Sequence, residues 1–593
     1  LDAESSGKIT ASAAGHIRDW LTQPRFADYQ ADVRSHIEQE RWERLDDVFW
    51  TIIPFGTGGR RGRMYPIGCN AINDRTIGES AAGLSQYVRQ QPIDPRELSC
   101  AIAYDTRHNS RHFAELCARI MVAAGFKVYF LDDYRSTPAL SFLVRYRNCS
   151  CGIMVTASHN PPSDNAVKVY WAGGVQVLPP HDRAIIECVT NVSDIELGDS
   201  FEVAVHDGRV VICTEEIDRA YLDAVLSQAN PGPRDLKIVY SPLHGVGDSA
   251  AGAALRADGF TEVETFGPHA EPNGDFPNVP GHVSNPENPQ IYAAIVEHAR
   301  QVRADLVIVT DPDCDRIGCA APRTGDVSGP WTTFTGNQLA ALLADYVLEK
   351  RKAAGTLNEG SYLVKTLVTT EMVRRIGDSY SVTTCGDLLV GFKWIGGLKD
   401  EVGPDNFVFG CEESHGYLAG THVRDKDGGV AAMLIAELAA ELKSQGKTLY
   451  EKLESLWWQH GYHAELLVTQ VMEGSEGMER MKALMAAFRQ APPTALGGIE
   501  VAAVRDYLTL ETRRTGDQPH PLSGPRGDLI MIDLAEPGNY VAVRPSGTEP
   551  KAKFYMFAYT PPEQLADLET AQENMRQRIE AMEADLAAFA TRV

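Results

Sequence analysis

No apolar run in the sequence approaches the roughly 20 residues that a bilayer-spanning helix requires. No block of Lys and Arg is present either, and the formal net charge is −24. A nucleic-acid backbone demands neutralising cations, so neither DNA nor RNA is an expected partner. An anionic membrane surface is excluded on the same ground. The opening stretch LDAESSGKIT lacks a basic region followed by an apolar core, so no secretory signal is expected. The 11 cysteines contain no C-x-x-C pair, and Cys149 and Cys151 stand too close to bridge comfortably. An odd number of scattered thiols suggests reduced cysteines and a cytoplasmic protein. There is no G-x-S-x-G elbow to suggest a hydrolase. The Gly-rich stretch FGTGGRRG has the wrong order for a dinucleotide fingerprint, and no ribose-binding acid follows it cleanly.

What is present is a globular composition, with 44% hydrophobic and 23% charged residues in a chain of 593. That length exceeds one core and implies three or four domains. The first 47 residues read as a polar, helical extension. LSCAIAYDT, KVYFLD and CGIMVTAS read as strands, with RHFAELCARIMVAAG as a helix stopped at Gly125. Such alternation argues for βαβ units and a mostly parallel sheet. Similar units return at LKIVYSPLHGVG through ADLVIVTDPDCDRIG, and again between SYLVKTLVTTEMVRRIG and NFVFGCEESHG. The expected organisation is therefore α/β: three similar mixed α/β domains, at 48–230, 231–350 and 351–465, and a smaller C-terminal α+β domain at 466–593. A polar, Ala-rich helix from about Pro561 closes the chain.

In parallel sheets ligands collect at the carboxyl ends of strands, which directs attention to four loops. The first is TASHNPPSDNAVKVY. Ser158 there is either a turn or cap serine or a nucleophile held at a strand end. Lys168 either returns to the same mouth or is a solvated surface lysine. The second loop is DPDCDRIG. If it is extended, Asp311, Asp313 and Asp315 point the same way, and three converging carboxylates repel unless a hard cation binds them. A calcium hand is excluded, because Arg316 and Pro322 stand where that loop needs Gly and an acid. A strand-end Asp nucleophile of a phosphatase stays open, as does a solvated acidic loop. Arg316 would counter the charge of a nearby phosphoryl group.

The third loop is FGCEESHG. Glu412 and Ser414 suit sugar hydroxyls, although acids in the first turn of a helix would read the same way. The fourth is RPSGTEPK, where Arg544, Ser546, Gly547 and Thr548 combine a guanidinium fork, hydroxyls and an approachable backbone. That combination favours phosphate.

Taken together, TASHNP, DPDCDR, the CEES loop and RPSGTEPK resemble the α-D-phosphohexomutase superfamily. SPLHGVG and GFKWIG point within it to the phosphoglucomutase/phosphomannomutase group. The likeness runs from FGTGGRRG to the C-terminal domain. It implies that Ser158 carries a phosphoryl group and that Mg²⁺ is held by Asp311, Asp313, Asp315 and an oxygen on Ser158. It further implies that Arg61, Lys168 and Arg316 flank the transferred group, with Lys168 as general acid or base. Gly391, Lys393, Glu412 and Ser414 would read the sugar, and Arg544, Ser546, Gly547 and Thr548 would cradle the second phosphate. His415 is only weakly matched, Cys314 replaces a smaller residue between the aspartates, and Gly58 stands where many relatives have Ser.

The implied activity is interconversion of a sugar 1-phosphate and 6-phosphate, of glucose first and mannose second, through a bisphosphate intermediate. Glucose 1,6-bisphosphate is the implied activator and a small phosphosugar the implied partner of a monomer or dimer. A phosphopentomutase, a metal-dependent sugar phosphatase and a phosphosugar-binding pseudoenzyme are the alternatives.

Overall fold

The computed structural model describes residues 2–56, 58–94, 97–472, 474–514, 516–545 and 551–592, with only the backbone of 474–476. Its first sheet shows how the sequence builds the layers. Strand β2 (Ser99–Tyr104) is buried along its whole length. Cys100, Ile102 and Tyr104 enter one apolar cluster, with the helices Asp74–Arg89 and Ser110–Ala123. Ala101 and Ala103 face the opposite cluster, with the helix Thr137–Tyr146. Successive strand residues point to opposite faces, so a strand covered on both sides is apolar throughout. The helices start on side-chain caps. Asn73 and Thr76 form a capping box, and Ser136 accepts the Ala139 N–H at 3.2 Å. Gly125, at φ +89°, turns the chain after the helix Ser110–Ala123.

The other strands of this sheet are β1 (Gly59–Arg63), β3 (Lys127–Leu131), β4 (Cys151–Val155), β5 (Asp164–Trp171) and β6 (Val210–Cys213), in the order β1-β5-β4-β2-β3-β6. The second sheet contains β7 (Lys237–Ser241), β8 (Glu262–Thr265), β9 (Leu306–Thr310), β10 (Ile317–Pro322) and β11 (Trp331–Thr333), ordered β11-β10-β9-β7-β8. The third contains β12 (Tyr362–Thr366), β13 (Thr383–Leu388), β14 (Phe407–Glu412) and β15 (Gly416–Ala419), ordered β13-β12-β14-β15. Each sheet is parallel at its centre and antiparallel at one edge.

The three antiparallel returns are equivalent. Strand β4 folds back as β5, β9 as β10, and β14 as β15. The first three candidate loops are the turns of these hairpins. They are also tied to one another. The Ser158 hydroxyl donates to Asp311 Oδ2 at 2.7 Å, and the Ile317 N–H to the His415 carbonyl at 3.1 Å.

The fourth domain is an antiparallel sheet of longer strands, among them Tyr462–Val471, Ile530–Leu534, Tyr540–Pro545 and Lys551–Thr560. The helices Gly474–Gln490 and Leu568–Thr591 accompany it, and the latter starts later than the sequence suggests. The opposite face packs on Leu367 and Val368 of the third domain through Tyr507, Tyr540, Tyr555 and Phe557. At the other end of the chain, the helices Ala11–Thr22, Gln30–Glu38 and Trp42–Phe49 bury Trp20, Val33, Leu45 and Phe49 against Ile67 and Ala71. No helix among the described residues is long and apolar enough to cross a membrane.

Two local expectations change. FGTGGRRG is largely an edge strand, with Gly59 opposite Lys168. Gly59 sits at φ +154°, and a Cβ there would lie 1.8 Å from the Val167 carbonyl oxygen. Glycine is required for that approach. Residues 413–415 form a hairpin turn between β14 and β15, which removes the helix-terminus reading of the acids.

Candidate active site

Ser158 follows β4 in a left-handed conformation, at φ +50°, rare for a side-chain-bearing residue. Its own N–H donates to Thr156 Oγ1 at 2.8 Å, and Thr156 Oγ1 donates to Asp105 Oδ2 at 2.5 Å. The serine hydroxyl donates to Asp311 Oδ2 at 2.7 Å and lies 3.1 Å from His159 Nδ1. A hydroxyl has one proton, so with Asp311 as its acceptor the His159 nitrogen is the donor. Burial, with Arg316 and Arg61 nearby, holds the His159 imidazole well below its usual pKa and therefore neutral.

The three aspartates converge, but not by extended alternation. The Cys314 N–H donates to the Asp311 carbonyl at 3.0 Å, and Cys314 lies at φ +51°. Asp311 Oδ1 accepts the N–H groups of Asp315 and Arg316, each at 3.1 Å. This turn, capped by its own first carboxylate, brings one oxygen of each aspartate within 4.8 Å of the others. Asp313 Oδ2 accepts from Lys168 Nζ and Thr137 Oγ1, both at 2.7 Å. Asp315 Oδ2 lies 3.1 Å from Lys426 Nζ, which also reaches Asp425 at 2.9 Å. Asp313 Oδ1 and Asp315 Oδ1 are buried without a hydrogen-bond partner. Burial and the charges of its two neighbours push Asp311 well above the usual carboxylate range. Burial would raise Asp313 too, but Lys168 overcomes it and holds Asp313 below that range. Clustered carboxylates with two unpartnered buried oxygens have the chemistry of a hard-cation site.

Beside this cluster opens a cleft of about 720 Å³. It is lined by His159 and Arg316 beside Ser158, by Ser414 and His415 of the β14–β15 turn, and by Arg544 and Lys553 of the fourth domain. Arg316 donates to Glu287 at 2.9 Å. Glu413 lines the cleft as well, its carboxyl pushed up to about 8 by burial and by Glu412 and Glu287. Burial and the adjacent Arg544 lower the Lys553 amine.

The family description "Phosphoglucomutase/phosphomannomutase, alpha/beta/alpha domain I" matches residues 53–196, domain II residues 219–325 and domain III residues 335–460. A phosphoglucomutase of Staphylococcus haemolyticus is 34% identical over 528 residues, covering 88% of this chain and 93% of that protein. One from Staphylococcus aureus is 32% identical over 532 residues, with coverage of 88% and 93%. The chain belongs to the phosphoglucomutase/phosphomannomutase family. It is thus an enzyme of the phosphohexomutase kind, a mutase that transfers phosphoryl groups. Two crystal structures share its fold. A putative phosphomannomutase from Thermus thermophilus superposes with a TM-score of 0.63 at 22% identity, covering 89% of this chain and 99% of that one. The phosphoglucomutase pp63/parafusin of Paramecium gives 0.62 at 17% identity, covering 91% and 98%.

Against this family background the expected site residues divide. Ser158, Lys168, the three aspartates and Arg316 come together, and Lys168 is not a solvated lysine. Arg61 donates to Asn160 Oδ1 in the serine loop. Its guanidinium is lowered to about 10 by burial and by Arg316 and Arg107. Glu412 Oε1 accepts the Gly391 N–H at 2.7 Å, so the CEES loop and the GFKWIG loop are joined. Lys393 departs from its expected place. Its Nζ donates to the Val177 carbonyl at 3.3 Å, as a buried amine must find an acceptor, and Lys393 does not line the cleft. Ser546, Gly547 and Thr548 lie outside the described residues.

Sequence reasoning passed over Asp105 and Arg107, although AYDTR ends β2 and the strand-end rule applied to it equally. It also missed Glu287, Glu413, Lys426 and Lys553. Glu413 stood between two residues already chosen and Lys553 lies opposite Arg544 on the next strand, whereas Glu287 reaches Arg316 from elsewhere in the second domain and Lys426 reaches Asp315 from the third.

Proposed function

We propose that this enzyme interconverts the 1- and 6-phosphates of a hexose, glucose first and mannose second, with Ser158 as phosphoryl carrier. The carrying observation is the Ser158 hydroxyl, 2.7 Å from Asp311, beside a buried carboxylate cluster with two unpartnered oxygens. Glucose is preferred because the relatives at 34% and 32% identity are named phosphoglucomutases.

In this reading phosphoserine transfers its phosphoryl group to the free hydroxyl of the sugar phosphate. The Ser158 Oγ–P bond breaks, a sugar O–P bond forms, and the proton of the sugar hydroxyl ends on Ser158 Oγ, with Lys168 giving one proton to the serine oxygen as it takes one from the sugar. The resulting bisphosphate turns over in the cleft and returns its other phosphoryl group to Ser158. Glucose 1,6-bisphosphate serves as activator by phosphorylating a bare serine through the same step. Asp311, Asp313, Asp315 and an oxygen on Ser158 would hold Mg²⁺, which supplies positive charge to the transferring group. Arg61, Lys168 and Arg316 add fixed positive charge around it. Gly391, Glu412 and Ser414 orient the sugar. Arg544 and Lys553, with Ser546, Gly547 and Thr548, hold the phosphate that does not react.

Phosphorus NMR of glucose, mannose and ribose 1-phosphates with enzyme, Mg²⁺ and catalytic bisphosphate tests the reading. Conversion of glucose 1-phosphate to the 6-phosphate is expected. Conversion of ribose 1-phosphate alone would make it a phosphopentomutase. Release of inorganic phosphate alone would make it a phosphatase.

A further inference from the structure

The loop that carries Ser158 turns its carbonyls inward onto one cation. Arg107, 3% exposed, donates from Nε to the Ser158 carbonyl at 3.2 Å and from Nη2 to the same oxygen at 2.5 Å. Nη2 also reaches the Asn160 carbonyl. Nη1 donates to the carbonyls of Pro161 at 2.7 Å and Asp164 at 3.0 Å. The five contacts equal the five N–H donors of a guanidinium, so none remains for a substrate phosphate. Asp105 stands 3.5 Å behind it as counter-charge.

The face of this guanidinium is covered from another domain. The Phe276 ring of the second domain lies 5.1 Å from its centre, within cation–π range. Gly274 seats the same loop against the Arg107 turn. A Cβ at Gly274 would fall 2.8 Å from His108 N and 3.0 Å from the Thr106 carbonyl oxygen. The docking of the second domain, which supplies the aspartates, therefore bears directly on the group that shapes the nucleophile loop.

We propose that Arg107 is a positioning residue that fixes the left-handed Ser158 loop for phosphoryl transfer, and that Phe276 keeps its guanidinium in register. The proposal rests on Ser158 being the phosphoryl carrier. Lysine offers three donors on a flexible stem and cannot reproduce a planar five-donor clamp. A nucleophile displaced by about 1 Å loses on the order of 100-fold in rate.

The test compares R107K, F276L and S158A by steady-state kinetics on glucose 1-phosphate and by single-turnover transfer from phosphorylated enzyme. For R107K, kcat and the single-turnover rate should fall about 100-fold with KM within about 3-fold. F276L should lose about 5-fold in kcat by the same route. A wild-type kcat in R107K overturns the proposal, as does a loss confined to KM, which would make Arg107 a substrate ligand. A wild-type kcat in F276L removes Phe276 from it. Should R107K fail to fold, F276L decides alone, and an unchanged kcat there overturns the whole. S158A separates the premise: normal turnover in that variant sinks the proposed function, whereas an inactive S158A beside a fully active R107K sinks only the positioning role.

Discussion

The serine end of the site, built by the first three domains, and its fourth-domain end, built by Arg544 and Lys553, follow opposite principles. At the serine end Lys168 is fixed to Asp313, Lys426 to Asp315 and Asp425, and Arg316 to Glu287. At the far end Arg544 and Lys553 stand directly opposite each other on neighbouring strands. Neither forms a salt bridge with another described residue. Like charges facing across an antiparallel pair are destabilising. One end pairs its cations with fixed carboxylates, and the other keeps an excess of positive charge that a guest anion would relieve. In the proposed function the transfer step needs preorganisation, whereas a phosphate that enters in two orientations would need an open socket.

The contrast breaks first at Asp313. Replacing it by Asn leaves Lys168 without its buried partner and removes one unpartnered oxygen. Turnover should drop about 10²–10³-fold with KM little changed. A kcat within fivefold of wild type, measured with saturating Mg²⁺, would show that the balanced end is not where the rate is made. A smaller effect is expected at the opposite end. Lys553→Ala should raise KM about tenfold, equivalent to about 1.4 kcal/mol, with kcat nearly intact. An unchanged KM would leave Arg544 as the sufficient cation there.

The smallest effect concerns pH. Glu413, between the two ends, has its carboxyl pushed up to about 8 by burial, Glu412 and Glu287, while Arg544 opposes the shift. Below that value it is neutral. As pH rises through it, a negative charge appears beside the phosphate site, next to Lys553 and Tyr555. A sugar phosphate is already a dianion above about pH 7. KM should therefore climb about threefold between pH 7 and 9, and Glu413→Gln should flatten that climb. An identical profile in the variant would exclude Glu413 as its source.

Much of this was legible because parallel strands deliver ligand-facing residues just past their apolar runs. Ser158, the aspartates, Arg316 and Ser414 were all found that way. The convergence of the aspartates was foreseen for the wrong reason. Alternation in an extended loop was invoked, yet a tight turn capped by Asp311 Oδ1 achieves it. Arg107 was equally legible and was overlooked, since its partners are carbonyls and leave no side-chain pattern in the sequence. Lys426 is legible only after the domains are assembled, and Glu287 only after the second domain has folded. Lys393 was placed by the likeness of the GFKWIG loop, which does not say which way a helix-borne side chain leaves the backbone; here its amine meets the Val177 carbonyl.

The largest apolar cluster passes without interruption through the first three domains, from Ala101 through Ile238 and Leu339 to Phe409. The fourth domain keeps its own cluster and joins the third through a separate, smaller one. Local opening draws on the least stable seam of a structure. The join between the third and fourth domains lines the cleft through Val368, Tyr555 and Phe557, so in the proposed function an opening there would widen the cleft without moving the serine loop.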